Sequence, residues 1–122
     1  MRIQYSFSFV IMLLGLCPSV FAQDANLGKI KFQECIACHS ISPGQNLLGP
    51  SLFGVYGRKA GTVEGFRYSS ALKKSGVTWD ADSLNKYLEN PQLFIVGGRM
   101  PYSGMSNEED RKNLIDYLKT LH

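Results

Sequence analysis

Two cysteines and a histidine in "FQECIACHS" (32–40) are the residues of this chain whose types and spacing could do chemistry. Cys35 and Cys38 lie three positions apart, and His39 directly follows the second cysteine. This spacing is compatible with a redox-active dithiol, a metal site, a structural disulfide or a covalently attached haem. The rest of the chain has to discriminate among these four possibilities.

The first residues predict export. Arg2 provides a short basic start, residues 7–17 form an apolar run, and "VFAQ" places Val20 and Ala22 at the −3 and −1 positions of a cleavage site. The run is too short to span a bilayer. We therefore expect residues 1–22 to be a cleavable signal peptide and the mature protein to reside in the periplasm; an uncleaved anchor is the alternative.

Cleavage would leave one domain, residues 23–122, and would remove Cys17. Cys35 and Cys38 are then the two cysteines that remain, and the C-terminal His122 is the one histidine outside the motif. The chain carries 13 Lys and Arg against 10 Asp and Glu, a formal net charge of +3. So mild a basic balance, without an Arg/Lys stripe, is not typical of a nucleic-acid-binding protein. We expect no nucleic-acid partner and no stable membrane insertion.

The motif lies at the end of a predicted helix. Asp24 or Asn26 could cap a helix through "ANLGKIKFQECIA", and Leu27, Ile30 and Ile36 would form its apolar stripe. No strand precedes the motif. A thioredoxin-like dithiol site needs a strand before its C-x-x-C, so this context disfavours that interpretation.

Three further helical segments follow downstream. Residues 69–74 predict a short helical turn, and Asp80 is placed to cap a helix that stops before Pro91. Ser106 and Glu109 have the S-x-x-E spacing of a capping box at the start of the last helix. One apolar face of that helix is formed by Leu114, Ile115, Leu118 and Leu121.

Two long Gly- and Pro-rich segments, 40–61 and 91–105, separate these helices and show no periodicity. Loops of this length in a compact domain usually have a function. The sequence therefore predicts an all-α fold with three or four helices and two long loops that wrap around a bound group.

Zinc and a plain disulfide explain less of this pattern. A structural zinc site needs four ligands, and the motif offers three at most. A disulfide would leave His39 and both loops without a role. In covalent haem attachment, two thiols add across the vinyl groups of a porphyrin, and the histidine after the second cysteine ligates the iron. This chemistry accounts for Cys35, Cys38 and His39 together.

A second axial ligand would come from Met100 or Met105, the methionines that remain after cleavage. Met is more often a packing residue than a ligand. Met100, however, lies in a Gly-rich loop directly before Pro101, which is a poor place for core packing. The residues alone therefore favour Met100.

Five segments in order resemble class I cytochrome c, specifically the exported bacterial relatives of the mitochondrial protein. The resemblance covers essentially all of 23–122. It implies the small cytochrome c fold around one haem c, with the first and last helices crossing at Gly28, Phe32, Leu114 and Tyr117. The segments are "GKIKFQECIACH" (28–39), "GPSLFGVYGRK" (49–59), "SGVTWDADSLNKYLENP" (75–91), "GGRMPYSGM" (97–105) and "EDRKNLIDYLKTL" (109–121).

The resemblance also implies roles for single residues. Met100 falls on the ligand position of the family motif G-x-[KR]-M, and Met105 falls on a packing position. Pro50 matches the proline whose carbonyl accepts the His ring N–H. Residues that match haem-propionate contacts or the tyrosine near the Met sulfur complete the predicted site: Arg58, Tyr68, Trp79 and Tyr87.

Some positions depart from the family pattern. Gly98 stands where a Thr or Asn usually contacts a propionate, and Gln92, Leu93 and Glu34 stand where lysines are common. The basic surface that docks acidic partners is therefore expected to carry fewer positive charges. It could still be supplied in part by Lys31, Lys59, Lys73, Lys74, Lys86 and Arg99.

His/Met ligation would fill both axial positions, which suits outer-sphere electron transfer rather than catalysis. The expected function is that of a soluble, monomeric one-electron carrier of a respiratory chain. It would dock transiently on a reductase or dehydrogenase donor and on an oxidase acceptor. The alternatives are a haem-based ligand sensor or weak peroxidase with a labile Met100, and a dedicated electron acceptor for one periplasmic dehydrogenase.

Overall fold

The computed structural model describes residues 20–122, with side chains from residue 24 onward. The predicted signal segment, apart from residues 20–22, lies outside the described residues together with Cys17, so its cleavage stays a prediction. None of the helices between residues 20 and 122 combines the length and the apolar character that crossing a membrane requires.

Helices dominate the described part of the chain, which confirms the all-α prediction. Between residues 20 and 122 there is no strand, and one isolated antiparallel bridge pairs Lys59 with Thr78. In this part of the chain the α-helices number five rather than three or four, because a short helix opens the second loop. The elements are α1 (Val20–Lys31), a 3-10 turn (Phe32–Glu34), α2 (Ser70–Lys74), α3 (Ala81–Glu89), α4 (Pro91–Phe94) and α5 (Glu108–Leu118).

The extra helix, α4, follows from two residues at its start. Pro91 occupies the first turn, where its missing N–H costs nothing, and the Asn90 side chain accepts a hydrogen bond from the backbone N–H of Leu93 at 3.1 Å. Pro91 therefore ends α3, as predicted, and also begins the next helix.

Two predictions about helix α1 were wrong. It begins at Val20, so Asp24 and Asn26 lie within it rather than at its cap. The predicted apolar stripe is exposed, with Leu27 43%, Ile30 65% and Ile36 54% accessible. The buried face of α1 contains Gly28 and continues into Phe32 of the 3-10 turn, because this face meets α5.

The crossing of α1 and α5 matches the prediction. A Cβ on Gly28 would overlap the backbone carbonyl of Asn113 and lie 2.7 Å from the Cβ of Tyr117. Only glycine permits this close approach. The rings of Phe32 and Tyr117 pack at 5.3 Å between centroids, and Leu114 beside them is 1% exposed.

Helix α5 begins one residue later than the predicted capping box requires. Asn107, not Ser106, is the N-cap: its side chain accepts from the backbone N–H of Asp110 at 2.9 Å. The Ser106 carbonyl accepts instead from the guanidinium of Arg111. The predicted cap of α3 is confirmed, since the Asp80 carboxylate accepts from the N–H of Ser83 at 2.8 Å.

Candidate haem-binding cleft

One cleft of about 520 Å³ brings all nine sequence-predicted site residues together. Its volume lies within the usual range of cofactor sites. The predicted residues that line it are Cys35, Cys38, His39, Pro50, Arg58, Tyr68, Trp79, Tyr87 and Met100. Its apolar wall contains Leu52, Val55, Leu72, Leu84, Leu88, Leu114 and Leu118.

The Cys35–His39 motif forms a tight turn at this cleft. The N–H groups of Cys38 and His39 both donate to the carbonyl of Cys35, at 3.1 and 3.0 Å. No disulfide joins the two cysteines. Burial raises the pKa of Cys35 to about 11, with a smaller contribution from the charge of Glu34. A neutral thiol is a poor nucleophile, so Cys35 is not activated as the attacking thiol of a dithiol site would be.

The imidazole of His39 is held from two sides. Its Nδ1 donates to the carbonyl of Pro50 at 2.7 Å, and because a carbonyl can only accept, Nδ1 carries the proton. Burial lowers the pKa of His39, which favours the neutral ring and leaves the Nε2 lone pair available. A Cβ on Gly49 would press into this ring, 2.7 Å from Nδ1 and 2.8 Å from Nε2. The glycine makes room for the imidazole.

Several hydrogen-bond donors line another part of the cleft. The Arg58 guanidinium donates to the carbonyls of Ser51 and Phe53 at 3.1 and 3.0 Å, and burial lowers the pKa of Arg58. The Tyr68 hydroxyl accepts from the backbone N–H of Val63 at 3.1 Å, so its own hydrogen remains free to donate.

The indole of Trp79 is 6% exposed, and its N–H has no acceptor among residues 24–122. Its ring packs against Tyr87 at 4.9 Å between centroids. Together with Arg58 and Tyr68, it supplies the donors that a ligand with buried carboxylates needs.

Met100 is contacted by two side chains. The Tyr87 hydroxyl donates to its Sδ at 3.9 Å, and the Gln92 amide donates to its backbone carbonyl at 2.7 Å. Burial raises the pKa of Tyr87, so the hydroxyl remains a neutral donor. Met105, in contrast, is 6% exposed within the hydrophobic core, as predicted.

Sequence reasoning missed two contacts at this site. Gln92 and Glu34 were noted only as lost positive charges, yet Gln92 binds Met100 and the Glu34 carboxylate accepts from the Tyr102 hydroxyl at 2.6 Å. The Glu34–Tyr102 bond joins residues 68 positions apart. No local pattern signals such a pairing.

The predicted basic surface is partly neutralised. Lys31 pairs with Asp110 and Lys86 with Asp82, each at 2.9 Å. The other four predicted docking positions are exposed and form no ion pair within the described residues. They are Lys59, Lys73, Lys74 and Arg99.

The residues present fit a haem. The cleft offers an apolar wall, two thiols, a neutral imidazole with a free lone pair, a thioether and donors for carboxylates, which are the groups that c-type haem ligation uses. Among residues 24–122, no three Asp, Glu, Cys or His side chains converge as metal ligands would.

Comparison with known proteins agrees with this geometry. The family model described as cytochrome c matches residues 25–122. Cytochrome c2 iso-2 of Magnetospirillum molischianum is 53% identical over 90 residues, covering 74% of this chain and 93% of that protein. Cytochrome c2 of Blastochloris viridis is 40% identical over 117 residues, covering 95% of this chain and 91% of that protein.

The solved structure of cytochrome cH from Methylobacterium extorquens superimposes with a TM-score of 0.77 at 42% identity. It covers 80% of this chain and 98% of that one. The chain belongs to the cytochrome c family, whose members are electron-transfer proteins with covalently bound haem c rather than enzymes.

Proposed function

We propose that this protein is a periplasmic one-electron carrier in which Cys35 and Cys38 would hold a haem c covalently and His39 and Met100 would ligate its iron. The observation that carries the proposal is that one cleft gathers both thiols, the free Nε2 of a neutral His39 and the Met100 thioether. The haem, when bound, supplies an iron that cycles between Fe(II) and Fe(III).

The chain's own residues orient the two ligands. The Pro50 carbonyl fixes the tautomer and the orientation of the imidazole, which also makes Nε2 a better donor. The hydrogen bond from the Tyr87 hydroxyl orients the Met100 sulfur within the cleft. With His39 and Met100 both bound to the iron, the site would have no position open to oxygen or peroxide. A site held in one geometry suits electron transfer, because little has to rearrange between oxidation states.

The donors Arg58, Tyr68 and Trp79 would bind the haem propionates. Their hydrogen bonds would offset the cost of burying carboxylates, and the Arg58 cation would neutralise part of their charge. The apolar wall would exclude water from the ring, which favours the less charged, reduced state.

Docking on a reductase or dehydrogenase donor and on an oxidase acceptor would be transient and would not need a second copy of the chain. Because Lys31 and Lys86 already have acidic partners, four of the six predicted basic positions remain to attract an acidic surface. We expect electron-transfer rates that fall less steeply with added salt than those of the lysine-rich mitochondrial relatives.

The purified exported protein tests the proposal directly. Its mass should exceed that of the mature chain, residues 23–122, by one haem, and its reduced-minus-oxidised spectrum should be that of a c-type cytochrome. Met100→Ala should abolish the low-spin His/Met features. Met105→Leu, a substitution of the core methionine, should retain them.

Survival of the His/Met features in Met100→Ala would refute the ligand assignment. Rapid binding of cyanide by the wild-type protein at neutral pH would instead favour a ligand-binding or peroxidase function with a labile Met100. Signal-peptide cleavage is checked by the N-terminal sequence, which should begin at Gln23.

A further inference from the structure

The segment that carries Met100, residues 95–105 (hereafter the Met100 segment), is held in an unusual way. Its ends are fixed by backbone hydrogen bonds to neighbouring elements: the N–H of Ile95 donates to Pro91 at 3.0 Å, and the N–H of Met105 donates to Leu88 at 2.8 Å. Residues 99–104 between them make no backbone–backbone hydrogen bond within the described chain. Apart from the close packing of Gly104 against the backbone of Glu89, the position of the middle of the segment therefore depends on side-chain contacts.

Gln92 makes one of these side-chain bonds. It lies on α4, whose buried Pro91 and capping Asn90 fix the helix against the protein. From there its amide donates to the carbonyl of Met100 at 2.7 Å. This contact fixes the backbone of Met100 itself, whereas the Tyr87 hydroxyl contacts the sulfur.

The Glu34–Tyr102 pair makes the other bond. Tyr102 follows Met100 by two residues, and Glu34 directly precedes Cys35. Both residues line the cleft, and the hydroxyl donates to the carboxylate at 2.6 Å. The bond therefore links the Met100 segment to the turn that carries the cysteine motif. A hydrogen bond to an ionised acceptor is stronger than one between neutral groups.

We propose that Gln92 and the Glu34–Tyr102 pair are positioning residues that keep the Met100 segment closed over the cleft. The inference rests on the proposed function, since it assigns these residues to holding Met100 as a ligand. Their loss should increase the fraction of time that the segment is open, and an external ligand should then displace Met100 faster.

Imidazole binding to the oxidised holoprotein tests this role. It is measured at a pH where the probe is neutral, so that surface charge does not change its approach. Gln92→Leu, Tyr102→Phe and Glu34→Ala should each accelerate binding about two- to tenfold, the effect of losing one hydrogen bond. Gln33→Leu and Tyr56→Phe are the matched controls, because Gln33 and Tyr56 are exposed and make no side-chain hydrogen bond within the described residues.

Two further variants separate the hydrogen bond from charge and from folding. Glu34→Gln removes the charge but keeps an acceptor oxygen, so it should accelerate imidazole binding less than Glu34→Ala does. The double variant Tyr102→Phe/Glu34→Ala should be no faster than the faster single variant, since both substitutions break the same bond.

Rates equal to those of the two controls, in proteins that retain the His/Met spectrum, would overturn this inference and leave the proposed function intact. Additive effects of Tyr102→Phe and Glu34→Ala would overturn the pairing. If the wild-type protein lacked the His/Met spectrum, or if Met100→Ala left it unchanged, the proposed function would fail and this inference with it.

Discussion

The two sides of the cleft are held by different kinds of contact. On the His39 side, the backbone N–H of Gly49 donates to Cys38 at 2.8 Å and that of Leu52 donates to Ser40 at 2.9 Å, while the Pro50 carbonyl binds the ring. On the Met100 side, residues 99–104 have no such backbone bonds within the described chain. The histidine is thus fixed by the main chain and the methionine by side chains. A substitution that leaves the fold intact can therefore loosen the methionine alone.

Removing the haem should destabilise the His39 side and the Met100 side together, so we expect it to have the largest effect on stability. In Cys35→Ser/Cys38→Ser the ring can no longer be tethered, and the apolar wall of the cleft loses the surface against which it is buried. We expect a thermal melt followed by circular dichroism to lose its cooperative transition. Free haem added to this variant should restore part of it. A cooperative melt of the variant without haem would contradict this expectation.

Arg111→Met should destabilise the Met100 side of the cleft, because Arg111 holds the end of the Met100 segment by hydrogen bonds. The buried guanidinium donates to the carbonyls of Met105 and Ser106 at 2.8 and 2.9 Å and to the Asn85 side chain at 2.8 Å. Leaving these acceptors unpaired should lower the free energy of unfolding by about 2–4 kcal/mol.

Denaturant unfolding of the holoprotein measures this loss, with Lys74→Met as the control for replacing a basic side chain on the surface. The control should change stability by no more than about 0.5 kcal/mol. Equal stability of the two variants would show that the buried guanidinium does not anchor the segment.

Gly49→Ala should damage the His39 side, because the added Cβ would press into the imidazole ring. Overpacking of this kind costs about 1–3 kcal/mol, and the ring would have to leave its hydrogen bond to Pro50. Denaturant unfolding gives the cost, and the haem spectrum shows whether ligation by His39 changes. An alanine accepted without loss of stability would argue against a rigid His39 side.

Gly98→Ala is the matched substitution on the Met100 side and should have the smallest effect. Its added Cβ would lie 3.1 Å from the carbonyl oxygen of Ile95, a contact that a small shift of the segment relieves. We expect a loss below about 1 kcal/mol, within the range of an ordinary surface substitution. A cost equal to that of Gly49→Ala would abolish the distinction between the two sides.

Local signals in the sequence predicted much of the fold. The cap at Asp80 was predictable because the capping side chain and the backbone N–H that donates to it lie three residues apart. The same kind of signal misled at Ser106, where Asn107 competes for the cap and Arg111 engages the Ser106 carbonyl. Two adjacent polar residues can both satisfy a capping pattern, and long-range contacts decide between them.

The buried face of α1 was not predictable in the same way. Periodicity selected Leu27, Ile30 and Ile36, which are exposed, over the face that contains Gly28 and Phe32. A glycine contributes nothing to an apolar stripe, yet its small size allows α5 to approach. The hydrophobic pattern alone therefore did not identify the buried face, because the small size of Gly28, and not apolar character, determines which face packs against α5.

The sequence by itself determined the chemistry of the motif, because Cys35, Cys38 and His39 lie within one turn of the backbone and their relative placement is a local property. It also determined the all-α class and the choice of Met100 over Met105 as the candidate ligand. Only the tertiary structure decided how Met100 is held, through Gln92 eight residues away and through the Glu34–Tyr102 bond across 68 residues. Such contacts depend on how separate elements pack, and no spacing along the chain encodes them.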